Sequence, residues 1–170
     1  MNRLFALIIL VAGFVASPAI AQPTGSTKYE VMDSPAKSKA AIDKGIEGAV
    51  ADMSFITRPI ARGKLEKSNT AFKAITINVT KSTVSIQHDD RKAIVSAGKP
   101  VLWTRDDGEK FRVTQVADGG KIVQTYASDD GTKVMTYNFS EDNKKLKVDV
   151  VVTSAKLAGP VRYSLNYESK

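Results

Sequence analysis

His88 is the only histidine in the 170-residue chain, and Asp89-Asp90 follows it directly. An imidazole beside a carboxylate suits a general base oriented by an acid, or one corner of a metal site. Metal sites draw on three or four converging ligands, and one histidine with two turn aspartates falls short of that. The ring closes the alternation Val84, Ile86, His88 and reads as a strand-end imidazole at a polar turn. Two further pairs, Asp106-Asp107 and Asp129-Asp130, fall in turns of their own. Counted hairpin by hairpin, the three pairs occupy alternate turns and therefore one end of the molecule. Carboxylates gathered there could hold a hard cation through oxygen ligands. Against this, Arg91, Arg105, Lys110 and Lys133 flank them, and Asp-Gly is ordinary turn chemistry. The parity also depends on Ala97 to Pro100 being a hairpin; as a bend it would remove Asp89-Asp90 from the cluster.

Other catalytic apparatus is missing from the sequence. There is no cysteine, no Gly-x-Ser-x-Gly elbow, no His-Glu-x-x-His and no glycine-rich phosphate loop. Any nucleophilic triad would have to share His88. A hydrolase built from carboxylates alone needs no motif and is the surviving enzymatic alternative. The residues favour a protein without catalytic, metal or cofactor chemistry.

Binding residues are easier to nominate. Trp103, Tyr126, Tyr137 and Tyr163 fall at strand positions and, with Tyr167, Phe111 and Phe139, could line an interior. Mixed with Gln115 and Gln124 they would suit a lipophilic ligand carrying a few polar atoms. Arg58 and Arg62 bracket Pro59 beside Phe55, Ile56 and Ile60. They either grip an anionic head group or simply place cations at a helix C-terminus.

The elements that must position these residues show in the periodicity. Ser34-Pro35 is a helix start, serine as N-cap and proline at the first helical position. Ile42, Ile46, Ala49, Met53, Ile56 and Ile60 then recur at spacings of three and four, one stripe of an amphipathic helix. Gly45 and Gly48 weaken it by about 1 kcal/mol each relative to alanine. Pro59 ends or kinks it, and the helical region is expected over residues 34–66. From Phe72 onward the period becomes two. Leu146, Val148, Val150 and Val152 alternate with Lys147, Asp149 and Val151. Val161, Tyr163, Leu165 and Tyr167 repeat the pattern, and Met135, Tyr137 and Phe139 share one face. This is the signature of antiparallel strands with one face buried. Turn residues punctuate the segment at short intervals, which predicts an up-and-down meander of eight or nine strands over residues 72–170. The fold class is α+β, mainly β. A closed barrel, which removes the sheet edges, is favoured over a curved open sheet wrapping the helix.

The N-terminus predicts export. Arg3 precedes an apolar run from Leu4 to Val15, and Pro18 with Ala19-Ile20-Ala21 forms a small-x-small cleavage site. The run is shorter than the roughly 20 residues a membrane helix needs. With no cysteine a lipid anchor is excluded too. Residues 1–21 are thus a signal peptide, 22–33 a flexible leader and 34–170 a single domain, periplasmic or secreted. The net charge is +7, but the lysines are scattered among acids. Export argues against nucleic acid as partner, leaving an anionic envelope surface or envelope protein as the partner for that charge.

At the level of plan, an exported single-domain meander resembles the calycins, lipocalins and fatty-acid-binding proteins included. The lipocalin Gly-x-Trp near the first strand is not matched: Trp103 follows Gly98-Lys99-Pro100-Val101-Leu102 in mid-meander. Fatty-acid-binding proteins insert a helix pair after their first strand, whereas the helix here is expected before all strands. No ligand-binding residue carries over. The resemblance implies a small lipophilic ligand in or beside the barrel, held without catalysis. The alternative is an interaction module that docks an envelope protein or surface polymer through an exposed apolar patch near Phe55 and Ile60.

Overall fold

The alternating segments all form strands, and their pairing runs almost without interruption around a barrel. The structure is a computed structural model and describes residues 23–170; the expected signal peptide lies outside the described residues. In chain order the elements are β1 (Gly25–Val31), α1 (Pro35–Val50), α2 (Thr57–Ser68), β2 (Ala74–Val79), β3 (Val84–His88), β4 (Ile94–Ser96), β5 (Val101–Thr104), β6 (Lys110–Asp118), β7 (Lys121–Ser128), β8 (Gly131–Phe139), β9 (Lys145–Thr153) and β10 (Val161–Ser169). The strands make one antiparallel sheet ordered β4-β3-β2-β1-β10-β9-β8-β7-β6-β5. Its two edges, β4 and β5, are consecutive in the chain, so the sheet curls back on itself and nearly closes.

Nine strands follow the helices, and the expected turns separate them, Ala97 to Pro100 among them as the link between two strands that do not pair with each other. Two expectations change. Within the expected flexible leader 22–33, residues Gly25–Val31 form a paired strand: β1 pairs with β2 from Gly25↔Val79 to Glu30↔Ala74 and with β10 at Tyr29↔Ser169 to Val31↔Tyr167. It carries only Tyr29 as a fully buried anchor, its hydroxyl donating to the Asn143 carbonyl at 3.0 Å. The helix therefore follows the first strand instead of preceding them all. It is also two helices. The stripe Ile42, Ile46, Ala49 is buried as expected, but the chain breaks after Val50, and Ile56 and Ile60 are exposed. Pro59 lies in the first turn of α2, where a missing N–H costs nothing, and starts a helix rather than ending one.

Ser34 caps α1, its Oγ accepting from the Lys37 N–H at 3.3 Å, with Pro35 at the first position. Gly45 brings α1 against β10 so closely that a Cβ there would lie 2.4 Å from the Arg162 carbonyl oxygen. The Gly159 N–H, in the β9–β10 turn, donates to the Ala49 carbonyl at the helix end. The pair thus caps one end of the barrel. At that same end lie the turns β3–β4, β5–β6, β7–β8 and β9–β10. Inward positions of the lower half pack solidly with Ile75, Ile77, Ile86, Ile122, Tyr137, Leu146, Val148, Leu165 and Tyr167. At about 1.5–3 kcal/mol for each large side chain, this layer carries much of the fold.

Candidate ligand cavity

The helix-proximal half of the barrel is hollow. A cavity of about 700 Å³ opens beneath α2, and its wall draws on the strand ends nearest the helices, reaching as deep as Met135 in the middle of β8. Its apolar wall is Leu65, Phe72, Ile94, Trp103, Phe111, Tyr126, Met135 and Val152. Trp103, Phe111 and Tyr126 form one aromatic cluster: centroids lie 5.8 Å apart for Trp103–Phe111, 5.6 Å for Trp103–Tyr126 and 6.0 Å for Phe111–Tyr126. The last two pairs meet edge to face, the arrangement aromatic quadrupoles favour. Volume and lining both fall in the range of small-molecule sites, about 300–1,000 Å³.

The polar part of the wall starts from His88. Because Val84, Ile86 and His88 alternate on the inward face, the ring is buried rather than lying at the polar turn. Burial first, then the nearby positive charges of Lys133 and Arg91, push it down to about 3, so it is neutral at physiological pH. Phe72 stacks on it at 4.1 Å and 20°, and the Arg91 guanidinium lies over the Phe72 ring, 5.6 Å from its centroid. Below, the Tyr137 hydroxyl donates to Gln124 Oε1 at 2.7 Å. It is therefore free to accept from His88 Nε2, 2.8 Å away, which assigns the Nε2–H tautomer to the ring. Among the described residues the Gln124 Nε2 and Gln115 Oε1 atoms of this buried layer find no hydrogen-bond partner, although the two glutamines are direct cross-strand neighbours. Tyr137→Phe should strip partners from both His88 and Gln124 and destabilise the protein by about 2 kcal/mol. Thermal denaturation checks this, and an unchanged midpoint would show that the string contributes nothing.

Lys133 faces the same lumen. It shares the inward parity of Met135, Tyr137 and Phe139, and its register partners are Tyr126 and Val152. Its ammonium donates to the Ser68 carbonyl at 3.4 Å, at the C-terminal end of α2. Burial, then the charges of Arg105 and Arg91, push its pKa down to about 8. Among the described residues neither Lys133 nor Arg91 has a carboxylate partner, whereas Arg105 is held by Asp107 and Glu109. Lys133 and Arg91 are thus cations of the cavity wall without counterions, Arg91 over an aromatic ring, and Lys67 and Lys92 on the same wall have no ion pair among the described residues either.

Of the residues nominated from sequence, Trp103 and Tyr126 line this cavity. Tyr137 lies one rank deeper, within the His88 string. Tyr163 is buried and its hydroxyl donates to Asn69 Oδ1 at 3.2 Å, fastening the C-cap of α2 to β10. Arg58 and Arg62 are brought to neither. Arg58 donates to the Ala51 and Met53 carbonyls after α1, and Arg62 pairs with Glu47 at 2.5 Å, tying the two helices together. Arg58 thus does the helix-end work that was the other reading of the pair, whereas Arg62 forms an ion pair between the helices. The aspartate pairs do share the helix end, as the turn parity required, but they do not converge. Asp89 accepts the Lys73 and Ala74 N–H groups at 2.7 and 3.0 Å, Asp107 holds Arg105 and Asp130 holds Lys156. Among the described residues no group of three acids or histidines could hold a metal ion, so the clustered-carboxylate reading loses its geometry. Lys133, Arg91 and Phe72 were missed. Inward parity alone would have found Lys133, a lysine in register with three core residues.

Neither a family model nor a curated protein matches the sequence. Solved structures do match. A Schistosoma mansoni fatty-acid-binding protein in complex with arachidonic acid superposes with a TM-score of 0.51 at 16% identity, over 89% of this chain and 98% of that one. The REP1-NXSQ fatty acid transporter gives 0.50 at 14%, over 86% and 95%. The likeness is one of fold: a ten-stranded antiparallel barrel like that of these fatty-acid-binding structures. With the helix pair following β1, the order of elements agrees with that of fatty-acid-binding proteins, and the departure expected from the sequence disappears.

Proposed function

We propose that this protein is an exported, non-catalytic binding protein for a small lipophilic ligand with an anionic head group. The observation that carries the reading is the cavity of about 700 Å³ with an aromatic wall and with Lys133 and Arg91 among its cations that have no carboxylate partner among the described residues. A hydrocarbon body would displace water from Trp103, Phe111, Tyr126 and Met135. A carboxylate or phosphate would supply the charge that Lys133 and Arg91 lack. Structures of the same fold include one holding arachidonic acid, a ligand of this chemical kind. Native mass spectrometry of protein purified from its own host should retain a lipid-sized adduct, and a long-chain carboxylate should displace a fluorescent probe from the cavity. Absence of both adduct and displacement would overturn the reading.

Export rests on the apolar run Leu4 to Val15 and the Ala19-Ile20-Ala21 site. N-terminal sequencing of the protein recovered from its host should begin at Gln22; a chain beginning at Met1 in the cytosol would overturn it.

A second reading has one observation in its favour. Phe55 is 85% exposed, with Ile56 and Ile60 exposed beside it at the α1–α2 junction, an apolar patch on the cap that would suit a docking contact with another envelope component. A Phe55→Glu, Ile60→Glu double variant that retains every partner recovered from envelope extract would remove this reading.

A further inference from the structure

The barrel wall has one unpaired seam. β4 and β5 are the two edges of the ten-stranded sheet and make no ladder with each other. Outside this seam lies a groove of about 400 Å³, lined by residues 91–95, 101–104 and Asp106. Arg91, Lys92, Ile94, Trp103 and Asp106 line both this groove and the inner cavity. The two spaces therefore adjoin at the same side chains, of which Ile94 and Trp103 are the apolar ones. Leu102, 85% exposed, and Val95, 52% exposed, flank the groove on the outer face.

The seam is also weakly fastened. A hydrogen bond reaches over from β6 to β4, from Gln115 Nε2 to the Ile94 carbonyl at 3.2 Å, and the other end of that amide, Oε1, is buried without a partner. The strands themselves are three and four residues long. The helix cap is held far more firmly. Gly45 is seated on the Arg162 carbonyl, Tyr163 holds Asn69, Lys133 holds Ser68 and the β9–β10 turn bonds the end of α1. Parting β4 from β5 costs little backbone hydrogen bonding, whereas lifting the helices breaks each of these contacts.

We propose that the groove between β4 and β5 is the entry site of the ligand: an apolar chain lies first along Val95 and Leu102 and then passes between Ile94 and Trp103 into the inner cavity. This rests on the lipophilic-ligand reading. The chain has no cysteine of its own, which permits a clean test. In a Val95→Cys, Leu102→Cys variant a short dithiol-bridging reagent would tie β4 to β5. In a Lys64→Cys, Lys156→Cys variant the same reagent would tie α2 to the β9–β10 turn. Stopped-flow association of an anthroyloxy-labelled stearate, followed through energy transfer from Trp103, is then compared before and after bridging. The expected result is at least a tenfold slower association and a similarly slower dissociation with the seam bridged, the Kd changing little, and near-normal rates with the helix end bridged. Unchanged rates with the seam bridged, or slowing confined to the helix-end bridge, would overturn the entry site while leaving the binding function intact. A wild-type protein that does not bind the labelled stearate at all would remove the binding reading itself, and the entry site with it.

Discussion

Alanine at position 45 should destabilise the protein by about 3 kcal/mol, although it replaces the poorer helix former with the best one. Propensity alone predicts a gain of about 1 kcal/mol for a glycine-to-alanine change inside a helix. The structure reverses the sign, because the added Cβ would stand 2.4 Å from the Arg162 carbonyl oxygen and 3.0 Å from its carbon. These are backbone atoms of β10, paired with β9 through Arg162↔Val151, and they cannot yield as a flexible side chain would. The helix must move off the strand, taking Ile42, Ile46, Ala49 and Val50 partly out of the core. Gly48, one turn on, is the internal control: nothing lies within 4 Å of its Cβ position, so Gly48→Ala should stabilise by up to about 1 kcal/mol. Urea denaturation of the two variants should give shifts of opposite sign. Two shifts in the stabilising direction would mean that α1 is not seated on β10 in this way.

The same glycine shows where reading the sequence stops. Gly45 and Gly48 look alike in the chain, two costs to one helix, and only the approach of β10 from far along the chain separates them. The strands were legible because alternation is local: Leu146 to Val152 and Val161 to Tyr167 announce their faces without help from tertiary structure. β1 was not, since GSTKYEV offers a single residue that becomes fully buried, Tyr29, and owes its existence to the edges of β2 and β10. The helix break was hidden for a related reason. Ile56 and Ile60 continue the spacing of Ile42 and Ile46, and period alone cannot show that the chain turns away after Val50.

For the cavity, residue type guided the eye toward aromatics and away from charge. Trp103 and Tyr126 line the cavity, but Tyr137 and Tyr163 spend their hydroxyls on internal partners. Arg58 and Arg62 drew attention by flanking a proline, yet helix-terminal carbonyls and Glu47 take them up. Lys133 was visible by parity, two residues before Met135, but a lysine in that register is usually taken as a strand end reaching for water. What makes it different is its surroundings: Tyr126 and Val152 beside it, the end of α2 above it, and two arginines near enough to oppose its charge.

Removing the charge of Lys133 should therefore cost affinity and add stability. In Lys133→Met the volume and the apolar stem are kept while the ammonium is lost. An anionic amphiphile would forfeit one charge-assisted hydrogen bond, about 1.5–3 kcal/mol, or roughly a 10- to 100-fold weaker Kd. Lys133→Glu places a like charge against the head group and should lose more than that. A neutral alcohol of the same chain length should bind wild type and Lys133→Met alike. The pH dependence carries a defined sign. The free protein holds Lys133 at about 8, down from the ordinary 10.5, because burial and the charges of Arg105 and Arg91 oppose its proton. A bound anion favours that proton, so near pH 8 binding takes up about half a proton, and affinity is steady below about pH 7 and falls as pH rises through 8. In the unliganded protein the depressed pKa means that the fold bears an unfavourable charge below pH 8. That burden is relieved between 8 and 10.5, where the folded state has released a proton the unfolded chain still holds. Lys133→Met should accordingly melt at a higher temperature than wild type at pH 6 to 7, and the difference should shrink as pH climbs from 8 toward 10.5. Calorimetry in two buffers of different ionisation enthalpy, at pH 8, reads the proton uptake directly. An anion affinity that stays level from pH 6 to 9.5, with Lys133→Met binding as tightly as wild type, would place the head group elsewhere in the cavity.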